Sequence, residues 1–166
     1  AHEGENLQIF RGSGFRTYGS EFFNDSGELI KSFEHSTVWD VSFDDSPLHI
    51  EALKARFDSV ISFNFLEHFR EPRVGLENMY SIMKPGAVGY IEVPNFDAIS
   101  SRSNFLEFIA DHLQYFRSRS LQALILNTGF SILQIDSLWD DYIIGCYFKK
   151  PQSINWDSFR ESRSRL

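Results

Sequence analysis

Residues 57–63, 71–83 and 87–93 constrain this chain more than any other part of it. FDSVISF is apolar at most positions, as a strand covered on both faces must be. The next segment opens on Glu71-Pro72, and its apolar residues Val74, Leu76, Met79, Ile82 and Met83 fall close to one helical stripe. Lys84-Pro85-Gly86 forms a turn, and AVGYIEV reads as a second buried strand. Two buried strands joined through a helix imply parallel pairing with a right-handed crossover.

The alternation extends in both directions. Residues 5–11 read as a short helix ended by Gly12-Ser13-Gly14, and 16–21 as a short strand. Residues 24–33 are expected to be helical, with Asn24 or Asp25 as N-cap. Residues 37–40 form a strand, an acidic turn carries Asp44 and Asp45, and Ser46-Pro47 opens a helix to about residue 56. Further on, 118–128 is a helix closed by Gly129 in the left-handed conformation. Residues 131–138 and 142–149 form a strand pair, antiparallel across Trp139-Asp140-Asp141.

Bulk properties narrow the classes. At 166 residues with 17 Phe, the chain is one domain with ample apolar content. A formal charge of -7 with no basic run argues against nucleic-acid binding, which needs Lys and Arg to neutralise phosphate. The single Cys146 excludes a disulfide framework within the chain and a Cys-rich zinc site. No stretch approaches the roughly 20 apolar residues of a membrane span. The polar opening Ala1-His2-Glu3-Gly4 is unlike a signal peptide, so a cytoplasmic location is expected.

The order strand, loop with Leu66-Glu67-His68, helix, Lys84-Pro85-Gly86, strand resembles the second half of a class I S-adenosylmethionine-dependent methyltransferase. The resemblance covers roughly residues 1–150, with 151–166 a tail or the start of a further segment. It implies an α/β Rossmann-like fold, a mainly parallel sheet with helices on both faces, and a reversed, antiparallel last strand. It also implies S-adenosylmethionine as cofactor and a small-molecule acceptor. The family's first strand has no counterpart here. Ala1-His2-Glu3-Gly4-Glu5-Asn6 is similar to the tail of the family's glycine loop, so the domain is expected to be truncated within that loop. Gly4 would then let the backbone approach the ligand; the alternative is an ordinary terminal glycine.

By the same resemblance, Glu21 at the end of the second family strand would accept hydrogen bonds from both ribose hydroxyls. A solvated strand-end acid is the plain alternative. Asp40 would lie near the adenine amino group, with the Val41 N–H at the ring, although Asp44 and Asp45 compete for the role. Asn64 and Phe65 would touch the methionine half. Some relatives hold a divalent metal through Glu-x-x-Glu-His, but Asn64 occupies the first of those positions. A neutral amide is a poor ligand for a hard cation, two ligands are too few, and no metal is expected.

The acceptor side would come from Pro94-Asn95 and the insertion 96–117. Asp111-His112-Leu113-Gln114-Tyr115-Phe116, with Ser118 and Leu121, resembles a block of methyltransferases acting on sugar nucleotides and related natural products. Carried over, His112 and Tyr115 line the acceptor pocket, with His112 a candidate base because imidazole titrates near neutrality. The alternative is that both anchor the insertion to the core. Ala110-Asp111-His112 and Ile144-Gly145-Cys146 depart from the sugar C-methyltransferases, so C-methylation is not implied. The expected function is methyl transfer to a sugar or nucleotide-linked sugar; the alternative is a catalytically inactive binding module. Convergence of Asn95, His112 and Tyr115 would favour a hydroxyl-rich acceptor. A pocket filled by Phe96, Phe105 and Phe108 would favour a lipid or aromatic one.

Overall fold

Two hydrogen-bonded sheets organise the computed structural model, which describes residues 5–21, 29–33, 36–40, 53–102 and 105–153. Helix α1 (Glu5–Gly12) leads into β1 (Thr17–Glu21), β2 (Leu29–Phe33) and β3 (Ser36–Asp40). β1 and β3 are parallel, and β2 lies antiparallel on the other side of β3. The second sheet has the order β4-β5-β7-β6, from β4 (Phe57–Phe63), β5 (Met83–Pro94), β6 (Ser131–Leu138) and β7 (Ile143–Lys149). Helix α2 (Pro72–Ile82) makes the crossover between the parallel strands β4 and β5. β7 is the reversed strand, antiparallel to both β5 and β6. The expected α/β fold with an antiparallel end is therefore present.

Three expectations need adjustment. Residues 29–33 are strand rather than helix: Phe33 pairs with Ser36 and Leu29 with Trp39, so the segment is one arm of a tight hairpin. A short run with weak helical periodicity yields to pairing with a neighbouring strand. Lys84-Pro85-Gly86 does not precede β5 but is an irregularity within it. Pairing jumps from Phe57↔Met83 to Ser59↔Val88, and Gly86 takes a φ of +84° that a side chain would disfavour. The expected helix from Ser46 lies largely outside the described residues; 53–55 form a turn.

The core lies on one face of the second sheet. Alternate β5 residues Ala87, Ile91 and Val93 and β7 residues Ile144, Cys146 and Phe148 point toward Leu76 and Met79 of α2. Leu121 and Ile125 of α4 (Ser118–Asn127) complete the cover. Each of the Val, Leu, Ile, Met and Phe side chains among them contributes about 1.5–3 kcal/mol on full burial. A Cβ at Gly89 would lie within the Phe148 ring, so glycine there permits the strand to carry the ring. The opposite face is half open, with Ile61, Phe63, Val88 and Tyr147 each close to 40% exposed. Among the described residues no ladder links the two sheets, but the Tyr18 ring meets Phe57 edge-on at 5.3 Å and brings β1 to β4. No helix among them is long and apolar enough to cross a membrane.

Candidate active site

The carboxyl ends of β4 and β5 position the site, as open α/β sheets lead one to expect. β4 ends at Phe63, and Asn64 turns the chain with φ +43°, a conformation that asparagine adopts more readily than most residues. The Asn64 N–H donates to the Glu92 carbonyl (3.0 Å), carrying the β4–β5 pairing one residue further. Its side-chain amide donates to Glu92 Oε1 at 3.3 Å, and the Tyr90 hydroxyl donates to Glu92 Oε2 at 3.0 Å. Burial, then the hydrogen bond to Glu92, pushes the Tyr90 phenol well up, so it remains a donor. Asn64 Oδ1 is buried and has no donor. An orphan acceptor of that kind is a place for a ligand N–H.

One turn of 3-10 helix, Leu66–His68, follows. It drives Glu67 into the interior, only 1% exposed, with neither carboxylate oxygen in a hydrogen bond. Burial pushes this carboxyl up to about 7, with Glu92's charge adding to the rise. Its own backbone N–H relieves the charge a little without reaching hydrogen-bond geometry. His68 Nδ1 lies 2.8 Å from the Asp111 carbonyl. A carbonyl only accepts, so Nδ1 carries the proton and, in the neutral ring, Nε2 keeps its lone pair. That Nε2 is 3.9 Å from Glu67 Oε1.

The insertion closes over this loop. The Gln114 N–H donates to the Glu67 carbonyl at 2.9 Å, and Phe96 N–H to the Phe116 carbonyl at 2.8 Å. These bonds hold His112 with its ring centroid 5.0 Å from that of His68, edge to face. Burial, and then the neighbouring His68, lowers the His112 pKa. Tyr115 packs at 5.1 Å from Phe108 and 5.9 Å from Phe96, and 6.4 Å from His112. Its hydroxyl donates to the Glu107 carbonyl at 3.5 Å. Asn95 is occupied structurally: Oδ1 accepts from the Asp97 N–H at 3.1 Å, capping α3 (Phe96–Ser101), and Nδ2 donates to the Asp141 carbonyl at 2.8 Å.

The structure thus brings Phe65 and His112 against His68, at 6.1 and 5.0 Å between ring centroids, with Tyr115 beside His112, while Asn64 turns toward Glu92. Glu21 and Asp40 are the final residues of β1 and β3 and stand opposite each other in the parallel register. Gly4 and Val41 lie outside the described residues, as does the tail beyond residue 153. Sequence reasoning missed Glu92, the hub joining Asn64 to Tyr90. The available signal was an acid within the apolar run AVGYIEV.

A βαβ unit with a loop and an insertion meeting beyond its strand ends, and a reversed strand inside the sheet, is the arrangement of a class I methyltransferase fold. The chain belongs to the methyltransferase-domain family: the family model matches residues 1–135. Its methyl donor is S-adenosylmethionine, and the buried, unpaired acceptor Asn64 Oδ1 fits a ligand N–H donor. No curated protein matches the sequence. Among solved structures, a Haloferax volcanii protein described as a methyltransferase, in complex with the activator Trm112, is 17% identical with a TM-score of 0.70. The match covers 90% of this chain and 79% of that one. The Burkholderia thailandensis 1,6-didemethyltoxoflavin N1-methyltransferase, holding its substrate and S-adenosylhomocysteine, is 14% identical at a TM-score of 0.66, over 90% and 67% of the chains. An S-adenosylmethionine-dependent methyltransferase of Mesorhizobium loti is 9% identical at 0.67, over 88% and 86%. At these identities the likeness concerns the fold.

Proposed function

We propose that this protein transfers a methyl group from S-adenosylmethionine to a small molecule with an aromatic or apolar face. One observation carries the reading: the insertion brings His112 and Tyr115 over the loop that ends β4, 5.0 Å from His68 in the case of His112. Cofactor and acceptor elements therefore meet at one point, as an in-line displacement from a sulfonium requires. When bound, the cofactor supplies the electrophilic methyl. The chain's part is to orient the acceptor and take up its proton. With its pKa lowered, His112 is mostly neutral at pH 7 and able to accept that proton. Tyr115, Phe96 and Phe108 form the surface against which the acceptor lies.

What Asn95 does supports the choice of acceptor class. One N–H and one oxygen lone pair of its side chain are engaged in capping and bracing, which fixes it structurally and leaves it less available than His112 and Tyr115 for binding hydroxyls. The sugar-nucleotide acceptor implied by the 111–121 resemblance is the weaker reading on that ground. Phe96 and Phe108 on Tyr115 favour an aromatic acceptor. Gly4, Glu21, Asp40, Val41, Asn64 and Phe65 are proposed as the cofactor contacts.

The test has two stages. Calorimetry with S-adenosylhomocysteine is expected to give micromolar binding; its absence from folded protein would favour an inactive module. Methyl transfer is then assayed against panels of phenolic and heteroaromatic acceptors and of sugar nucleotides. His112→Ala should lower turnover by about 10²–10⁴ while leaving S-adenosylhomocysteine binding intact. Turnover confined to sugar nucleotides would overturn the aromatic assignment.

A further inference from the structure

Glu67, His68 and His112 have a geometry that methyl transfer to an organic acceptor does not require. One ligand atom from each, a carboxylate oxygen and two imidazole nitrogens, lies within 4.8 Å of the others. Sequence alone supplied only Glu67 and His68; the third donor comes from 44 residues further along the chain, delivered by the folded insertion. Glu67 is 1% exposed and neither carboxylate oxygen has a hydrogen-bond partner, so its ionised form is held out of water with little compensation. An arrangement of that kind is costly unless a cation occupies it.

His68 adds the second independent observation. The Asp111 carbonyl, 2.8 Å from Nδ1, fixes the ring so that its other nitrogen faces Glu67. Metal-binding histidines are oriented in this way, through a backbone carbonyl on the ring nitrogen that does not bind the metal. In the neutral ring, a nitrogen lone pair and a carboxylate oxygen then face each other at 3.9 Å. One proton can serve only one of the three groups at a time; a dication engages all three.

We propose that Glu67, His68 and His112 form a binding site for a first-row transition-metal dication of the zinc type. Two imidazoles and one carboxylate suit Zn²⁺, Co²⁺, Mn²⁺ or Fe²⁺, whereas Mg²⁺ and Ca²⁺ take oxygen donors. Bonds of about 2.0–2.2 Å require the donors to draw somewhat closer together. His112 sits in a stretch without regular secondary structure, so that adjustment would fall to its side chain. Three protein ligands would leave a position for water or an acceptor oxygen.

This role toward the acceptor rests on the methyltransferase reading; metal binding itself does not. With the cation bound, the His112 lone pair is a ligand. Coordination would acidify an acceptor hydroxyl so that its proton could pass to solvent, and His112 would act as proton acceptor only in the metal-free protein.

The experiment is metal binding to the full chain with no cofactor or acceptor present. Metal-free protein is titrated with ZnCl₂ by calorimetry and with CoCl₂ by visible absorption, in parallel with Glu67→Gln and His112→Gln. Circular dichroism checks that each variant is folded. The expected result is one site of micromolar or tighter affinity, weakened at least about tenfold in each variant, a loss that even an outer-shell partner can cause. His2, His35 and His49 are common to all three proteins and supply the background. His112 is half-exposed on the insertion, so its variant keeps the test decisive if Glu67→Gln does not fold. Zn²⁺ binding equal in wild type and His112→Gln, or no binding below about a millimolar, overturns the site. Mg²⁺ binding as tightly as Zn²⁺ overturns the donor assignment. Loss of S-adenosylhomocysteine binding would sink the function proposed above and leave this site standing.

Discussion

Glu67→Gln should remove most of a pH dependence that the wild-type fold carries. The Glu67 carboxyl is buried without a hydrogen-bond partner and is pushed from an ordinary 4.5 up to about 7, by burial first. In the unfolded chain the same group titrates near its ordinary value. Between the two values the folded state keeps a proton that the unfolded state has lost. Stability therefore falls as pH rises through this window and levels off above about 7. Over pH 5 to 8 the loss attributable to Glu67 is about 2–3 kcal/mol, since each pH unit between the two titration points is worth about 1.4 kcal/mol. Glutamine keeps the volume and cannot ionise. The assay is urea unfolding with chelator present, at pH 5, 6, 7 and 8, for both proteins. The difference in stability between wild type and Glu67→Gln should swing by about 2–3 kcal/mol in favour of the variant across the series. Other titrating groups are shared and cancel. A constant difference would mean that Glu67 reaches water or a donor, and the account of its burial would be refuted.

Other consequences can be checked independently. Glu21→Ala should weaken S-adenosylhomocysteine binding about tenfold or more, since a charged hydrogen bond is worth about 1.5–3 kcal/mol; an unchanged Kd would remove Glu21 from the cofactor site. Gly89→Ala drives a methyl into the Phe148 ring and should cost about 1–3 kcal/mol in urea unfolding, with Phe148→Leu recovering part of the loss in the double variant. Absence of any recovery would show that the contact is not the cause. In an NMR titration the His112 ring should protonate below 6.5, and His68→Asn should move the midpoint upward by removing one neighbouring imidazole.

The second sheet was legible because its strands and helices repeat strong local patterns. β4 and β6 have the residues read from the sequence, and Gly129 takes the left-handed conformation assigned to it, with φ +92°. Residues 29–33 read locally as helix because their strand character depends on β3, a partner that no local window contains. The site was legible in part for the same reason. Asn64 and Phe65 follow a strand and could be located from it. His112 and Tyr115 required the resemblance, and the meeting of His112 with Glu67 and His68 depends on how the insertion folds back. Glu67 shows the limit most clearly. A glutamate in a loop reads as solvated, and only the 3-10 turn reverses its side chain into the interior.

β7 is the last described strand in the chain and an inner strand of its sheet, hydrogen-bonded to β5 on one side and β6 on the other. Chain order and spatial order therefore conflict during synthesis. Ile91, Val93, Leu121 and Ile125 emerge from the ribosome before Ile144, Cys146 and Phe148, which complete their cluster. Until residue 149 is available, β5 has an open backbone edge beside an apolar face, a combination prone to intermolecular strand pairing. The nascent sheet must wait for its inner strand to be delivered after its neighbours, so termination of translation before residue 143 would leave a chain that associates with chaperones or with itself instead of folding.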